Sequence, residues 1–225
     1  ITIISCLFGG KMYFLNKIMS FLPIFILGII QGVTEFLPIS SSGHLLVAGK
    51  FLDFQQQSLL IDVSLHLGTL CAVLIYFSAE SKILLLNAHR IFKNNSDEHS
   101  IFTKHILVAS VPIIFIGGIL FLSGIADILR NIQVIALATI LFGLLLYFAD
   151  IKSSNQLMIK NLTMKKSFLI GMFQILSIIP GTSRAGIVYT GSRFLNLDRL
   201  EAAKFSMILS IPVIILSSAI PIIQL

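Results

Sequence analysis

The stretch that decides the fold is "QGVTEFLPISSSGHL", residues 31–45, which follows directly on the apolar run "FLPIFILGII", residues 21–30. A run of that kind can enter a bilayer, yet it leads into a carboxylate, a proline, three serines, a glycine and a histidine. Pro38 ends a helix because it brings no N–H to the ladder and its ring clashes with the preceding turn. Backbone groups freed at such a break must be satisfied by protein or face a water-filled cavity, since hydrocarbon offers no partners. The stretch therefore reads as a broken or re-entrant helix that carries polar side chains to bilayer depth.

Composition agrees with a bilayer setting. Of the 225 residues, 56% are hydrophobic and 12% charged, with a mean hydropathy of +0.97. Soluble domains hold about a quarter charged residues, so a soluble globular domain is excluded and an all-α integral membrane protein is expected. The net charge of +6 is no nucleic-acid signal, because Lys and Arg fall mostly between apolar runs, as in loops that obey the positive-inside rule. There is no Trp, which leaves any interfacial aromatic belt to Tyr and Phe. Cys6 and Cys71 show neither CxxC spacing nor a metal pattern with His, and read as inert thiols.

Apolar windows lie near 21–37, 63–79, 106–122, 132–149, 168–180 and 205–223. Four of them approach the ~20 residues a spanning helix needs. The windows at 21–37 and 168–180 instead run into "PISSSG" and "PGTSRAG", and both read as broken segments. They echo each other: Gly28-x-x-Gln31 precedes Pro38 and Gly43, while Gly171-x-x-Gln174 precedes Pro180 and Gly186. Asp62 and Glu201 follow the two clusters at similar distance. Paired interrupted segments in two halves are the best sequence pointer to a midplane site.

The chain divides accordingly into an N-terminal extension of doubtful status (1–20), a first membrane repeat (21–149), a cytoplasmic linker (150–167) and a partial second repeat (168–225). Lys82, Arg90, Lys93 and Lys104 in the loop 80–104, and Lys152, Lys160, Lys165 and Lys166 in 150–167, place both loops on the cytoplasmic side. The turn 123–131 is then periplasmic, and the second half is inverted relative to the first. Lys11 and Lys17 run against this orientation.

Gln31 and Glu35 are four apart and share a helix face. A carboxylate at bilayer depth is functional or paired by default. Glu35 thus reads as a metal ligand or general acid/base, with Gln31 as a second oxygen donor. Ser40, Ser41 and Ser42 follow the break; two serve as caps or contacts, and one hydroxyl can attack when a base is near. His44 lies three residues beyond Ser41. In "PGTSRAG", residues 180–186, Gly181 and Gly186 permit close backbone approach and successive N–H groups can form an anion nest. Thr182 and Ser183 add hydroxyls, and Arg184 adds a planar fork suited to phosphate. These residues describe an oxyanion cradle facing a carboxylate–Ser–His cluster. Asp62 and His66, on one helix face, are weaker candidates. Asp198, Arg199 and Glu201 read as a charged helix start, and His89, His99 and His105 as incidental residues in or beside the loop. "KNNSDEHS", 93–100, reads as a solvated linker.

"QGVTEFLPISSSGHL" followed by "PGTSRAG" resembles the paired signatures of the undecaprenyl-diphosphatases of bacitracin-resistance type. "DVSLHLGTLCAVLIYF" and "EAAKFSMILSIP" are similar to that family too, so the likeness covers roughly residues 21–223. It implies a multi-pass enzyme of the bacterial inner membrane that removes the terminal phosphate of undecaprenyl diphosphate and so recycles the lipid carrier for cell-wall sugars. It further implies a divalent cation (Mg2+ or Ca2+), a site open to the periplasm, and an inverted repeat. Position by position, Gln31 and Glu35 match the acidic motif; Ser40, Ser41 and His44 match the Ser/His portion; Gly181, Thr182, Ser183 and Arg184 match the phosphate portion. Glu35, Ser41, His44 and Arg184 are then catalytic, Gln31 and Glu35 hold metal, and Ser40, Gly181, Thr182, Ser183 and Arg184 bind phosphate. Ala185 departs from the pattern, since a second Ser is usual there. The second repeat is incomplete within this sequence. The competing readings are a polyprenyl-phosphate transporter or flippase, whose architecture also uses broken helices, and an inactive truncated homologue. Membrane lipids are the expected surroundings, with self-association left open.

Overall fold

The computed structural model describes residues 21–52, 59–88, 98–123, 131–154 and 156–223. The extension 1–20, residues 93–97 and most of the turn 123–131 lie outside the described residues. The chain is helical: α1 (Phe21–Thr34), α2 (Ser41–Phe51), α3 (Leu59–Tyr76), α4 (Ser78–Asn87), α5 (Glu98–Leu122), α6 (Ile132–Lys152), α7 (Met164–Ile175), α8 (Arg184–Phe194) and α9 (Arg199–Ile223).

Three helices are long and apolar enough to cross a membrane, over His99–Leu120, Ile132–Lys152 and Arg199–Ala219. The apolar window 63–79, expected to span, is not one straight helix. It bends by 99° where α3 passes into α4 around Phe77. Both expected breaks are present, with α1 and α2 parted around Pro38, and α7 and α8 parted around Pro180. The lysines assigned to loops lie largely on helices instead. Lys82 is in α4, Lys104 in α5, Lys152 at the end of α6 and Lys165 and Lys166 in α7.

α9 forms the middle of the packing. Phe205, Ile208, Leu209, Ile211 and Ile214 are all inaccessible, and the helix packs against α3, α5 and α8. α5 and α7 cross closely because Gly171 allows it: a Cβ there would stand 2.3 Å from the Ala109 carbonyl oxygen and 3.0 Å from the Pro112 ring. α6 packs mainly on α8, and leaves Leu137, Ile140, Leu141, Leu144 and Tyr147 on the outside. A continuous apolar face of that kind is what a lipid-facing helix presents.

Polar groups buried among these helices find local partners, as low dielectric requires. Ser110 donates to Ile106 O at 2.8 Å. His105, read from sequence as incidental beside a loop, is buried in α5 and bonded to Ser167 Oγ on α7 at 2.7 Å. Residues 198–201 are structural, as expected. The Asp198 carboxylate accepts from Leu200 N at 2.9 Å, and Glu201 accepts from Ile159 N at 2.9 Å.

Candidate active site

The first break keeps Gln31 and Glu35 on one face, since Glu35 N still donates to Gln31 O at 2.9 Å. Their side chains are joined: Gln31 Nε2 donates to Glu35 Oε2 at 2.9 Å. Ser41, the first residue of α2, donates its hydroxyl to the same oxygen at 2.6 Å. The chain reaches that position through Ser40, whose φ of 62° is in the left-handed region, where a residue with a Cβ is strained. Ser40 is buried, its Oγ lies 3.2 Å from Ser42 Oγ, and its carbonyl oxygen accepts from His44 Nδ1 at 2.8 Å. Local side-chain bonds therefore hold the strained turn that aims Ser41 at Glu35.

The second break is wedged against α6. Gly181 has φ +95°, and a Cβ there would lie 2.4 Å from Ile135 O, so both conformation and space call for glycine. Its carbonyl oxygen accepts from Thr139 Oγ1 at 3.1 Å. Ser183 caps α8 by accepting from Gly186 N at 3.1 Å, and the same hydroxyl donates to Leu37 O at 3.2 Å. One side chain thus starts the helix and ties it to the other break. Immediately after it, Arg184 Nη2 contacts Glu35 Oε1.

The Glu35 side chain is 4% exposed, and an unpaired carboxylate buried so deeply would be prohibitive. Arg184 supplies the counter-charge on one oxygen, while Gln31 and Ser41 occupy the other. A guanidinium carries five N–H donors in a planar fork, so Arg184 retains donors for an anion. Thr182 Oγ1, behind it, is buried and has no hydrogen-bond partner among the described residues. The site can receive a tetrahedral oxyanion next to a hydroxyl already bonded to a carboxylate.

Gln31, Glu35, Ser41 and Arg184 thus converge, while Ser40, Gly181, Thr182 and Ser183 form the two turns around them. His44 is exposed on α2 and bonded to the backbone of Ser40. The imidazole that reaches Glu35 belongs to His66 on α3, with Nε2 at 3.6 Å from Oε2. The "DVSLH" spacing of Asp62 and His66 was the sequence signal for it, and a weak one.

For a divalent cation, the buried Gln31 Oε1 is the informative atom, because it has no partner among the described residues. It lies on an amide already bonded to Glu35. Among the described residues no three His, Cys, Asp or Glu side chains converge. One carboxylate and one amide oxygen do fit a hard cation completed by substrate phosphates.

Residues 24–224 match the family model described as "Bacitracin resistance protein BacA". The chain is 40% identical over 198 residues to an undecaprenyl-diphosphatase of Jannaschia sp. (strain CCS1), covering 88% of this chain and 74% of that protein. It is 43% identical over 198 residues to one of Alteromonas mediterranea, with the same shares. A third, of Pelagibacter ubique, is 41% identical over 194 residues, 86% of this chain and 71% of the relative. A match along nearly the whole described length, with both helix breaks inside it, places this chain in the bacitracin resistance protein family.

Proposed function

We propose that the chain hydrolyses undecaprenyl diphosphate to undecaprenyl phosphate and inorganic phosphate, returning the lipid carrier to cell-wall synthesis and so conferring bacitracin resistance. The observation that carries this is the contact between Glu35 and Arg184, 149 positions apart, with the Ser41 hydroxyl on the same carboxylate. A carrier protein needs no hydroxyl aligned on a buried carboxylate, and the relatives that match are named for the phosphatase.

The residues divide the work as follows. The diphosphate head group draws Arg184 onto its nonbridging oxygens, where bidentate contacts are strongest; Thr182 and Ser183 add hydroxyl donors, and Gly181 and Ser40 shape the turns that hold them. Glu35 Oε2 accepts a proton either from Ser41, which attacks the terminal phosphorus to give a phosphoserine that water then hydrolyses to inorganic phosphate, or from a water that attacks directly while Ser41 hydrogen-bonds a phosphoryl oxygen. The P–O bond to the lipid-side phosphate breaks, and His44, exposed at the mouth, exchanges protons with solvent. Glu35 and Gln31 would hold a divalent cation, Mg2+ or Ca2+, which would supply positive charge for the phosphoryl oxygens. The prenyl tail stays in lipid. In this reading the two halves are inverted repeats in the bacterial inner membrane, and the site opens to the periplasm.

The test is phosphate release from a prenyl diphosphate by the purified chain in detergent. Glu35→Gln should lower turnover at least ~10²-fold, the usual scale for losing an acid/base group. A variant that keeps more than half the activity removes Glu35 from the mechanism.

A further inference from the structure

His66 is outside both breaks and is not used in the scheme above, yet it faces the Glu35 carboxylate. Its Nδ1 lies 2.7 Å from Asp62 O. A carbonyl oxygen only accepts, so Nδ1 carries a proton and Nε2 is the ring nitrogen turned toward the carboxylate. That nitrogen faces Glu35 Oε2 across 3.6 Å. That separation is too long for a direct hydrogen bond and leaves room for an ion between the two atoms. Two ligands each about 2.1–2.2 Å from one ion, at 90–110°, lie about 3.0–3.6 Å apart, which matches the observed gap. Metal-bound imidazoles also characteristically hand their second N–H to a backbone carbonyl or carboxylate, as His66 does.

Gln31 completes the picture. Its Nε2 donates to Oε2 while Oε1 is buried without a partner among the described residues. Turning the amide over would set Oε1 beside Oε2, where a cation between them could take both as ligands. Arg184 is on the opposite oxygen, Oε1, which leaves the Oε2 side to Gln31, Ser41 and His66.

We propose that His66 Nε2 is a ligand of the divalent cation held by Glu35 and Gln31, making this a mixed nitrogen–oxygen site. The proposal rests on the cation assigned above. An imidazole ligand favours Mn2+ over the harder Mg2+ and Ca2+, so the chain should bind Mn2+ more tightly than Ca2+.

The test uses the full chain in lipid nanodiscs with Mn2+, alone and with methylenediphosphonate, a diphosphate stand-in that cannot be hydrolysed. Electron spin-echo modulation of bound Mn2+ should show imidazole 14N coupling. His66→Gln should abolish the coupling and weaken Mn2+ binding at least about ten-fold, whereas His44→Gln should leave the coupling intact. Bound Mn2+ with no nitrogen coupling in the unmodified chain overturns the proposal, as does coupling that survives His66→Gln, or no Mn2+ binding under either condition. Phosphate release separates the two readings. A chain that hydrolyses prenyl diphosphate without nitrogen coupling refutes the ligand and leaves the phosphatase; a chain inactive with every divalent cation refutes the phosphatase itself.

Discussion

Arg193 and Asp150 form a clamp across the ends of α8 and α6: Nε donates to Asp150 Oδ1 at 2.9 Å and Nη2 to the Asp150 carbonyl oxygen at 3.1 Å. The Arg193 side chain is completely buried. Its remaining nitrogen, Nη1, donates to Leu197 O, in the connection to α9. Tyr189 OH also donates to Oδ1 at 2.9 Å, and Arg199 reaches Oδ2 from α9 at 2.8 Å. One carboxylate therefore holds three helices, and α8 is the helix whose first residue is Arg184.

Removing one partner of a buried pair costs about 3–5 kcal/mol, because the other charge is left without compensation. Asp150→Ala should accordingly lower the thermal unfolding temperature of the purified protein strongly. Arg199→Ala should do little, since that side chain is 58% exposed and exposed pairs contribute about 0–1 kcal/mol. Combining Asp150→Ala with Arg193→Met should recover much of the loss. Equal shifts for the Asp150 and Arg199 variants would show that the clamp carries no special weight.

Arg184→Lys should impair phosphate release nearly as much as Arg184→Ala. Lysine is a point charge and cannot keep Glu35 on one edge while offering a planar pair of donors to phosphate. Full activity in the lysine variant would mean that the cradle needs only charge. A thermal melt run alongside distinguishes loss of the ion pair from loss of catalysis, because Ala leaves Glu35 buried and unpaired whereas Lys does not.

Ser40 is in the left-handed region, at a conformational penalty of about 1–3 kcal/mol for a residue with a Cβ. Ser40→Gly relieves that strain and should raise the unfolding temperature while slowing turnover, because the turn aiming Ser41 at Glu35 becomes looser. Ser40→Val should lower both, since a β-branched residue tolerates positive φ worst. Faster turnover in the glycine variant would show that the strained turn plays no part in placing Ser41.

Much of this site can be read from the chain because its parts are local. Pro38 and Pro180 announce the breaks, the four-residue spacing of Gln31 and Glu35 sets a shared face, and "PGTSRAG" holds cap, cradle and cation in seven residues. What escapes are partnerships made across the fold. Nothing in the apolar window 63–79 marks the 99° bend at Phe77, because hydropathy records burial and not direction. Asp150 closes an apolar run and looks like an ordinary helix end. Arg193 resembles a surface residue until Asp150 is seen against it. His66 has a partner in Glu35 only because α3 is folded beside the first break. A charge near an apolar segment is a debt that some other segment must settle, and its sign is the one clue to which.

Two glutamines with the same spacing from a glycine are put to different use, and that difference can be tested. Gln31 and Gln174 each follow a glycine by three residues and both are buried. Gln31 bonds Glu35, but neither polar atom of the Gln174 side chain has a hydrogen-bond partner among the described residues. A buried amide without partners is destabilising by about 1–3 kcal/mol, and an apolar residue of the same shape is neutral or better. Gln174→Met should therefore keep or raise the unfolding temperature and leave phosphate release within about two-fold. Gln31→Met removes a donor from Glu35 and should depress turnover sharply at little change in stability. If Gln174→Met instead abolishes turnover in a protein that melts normally, the second half carries a working polar group of its own, and the assignment of all the chemistry to the Glu35 side is wrong.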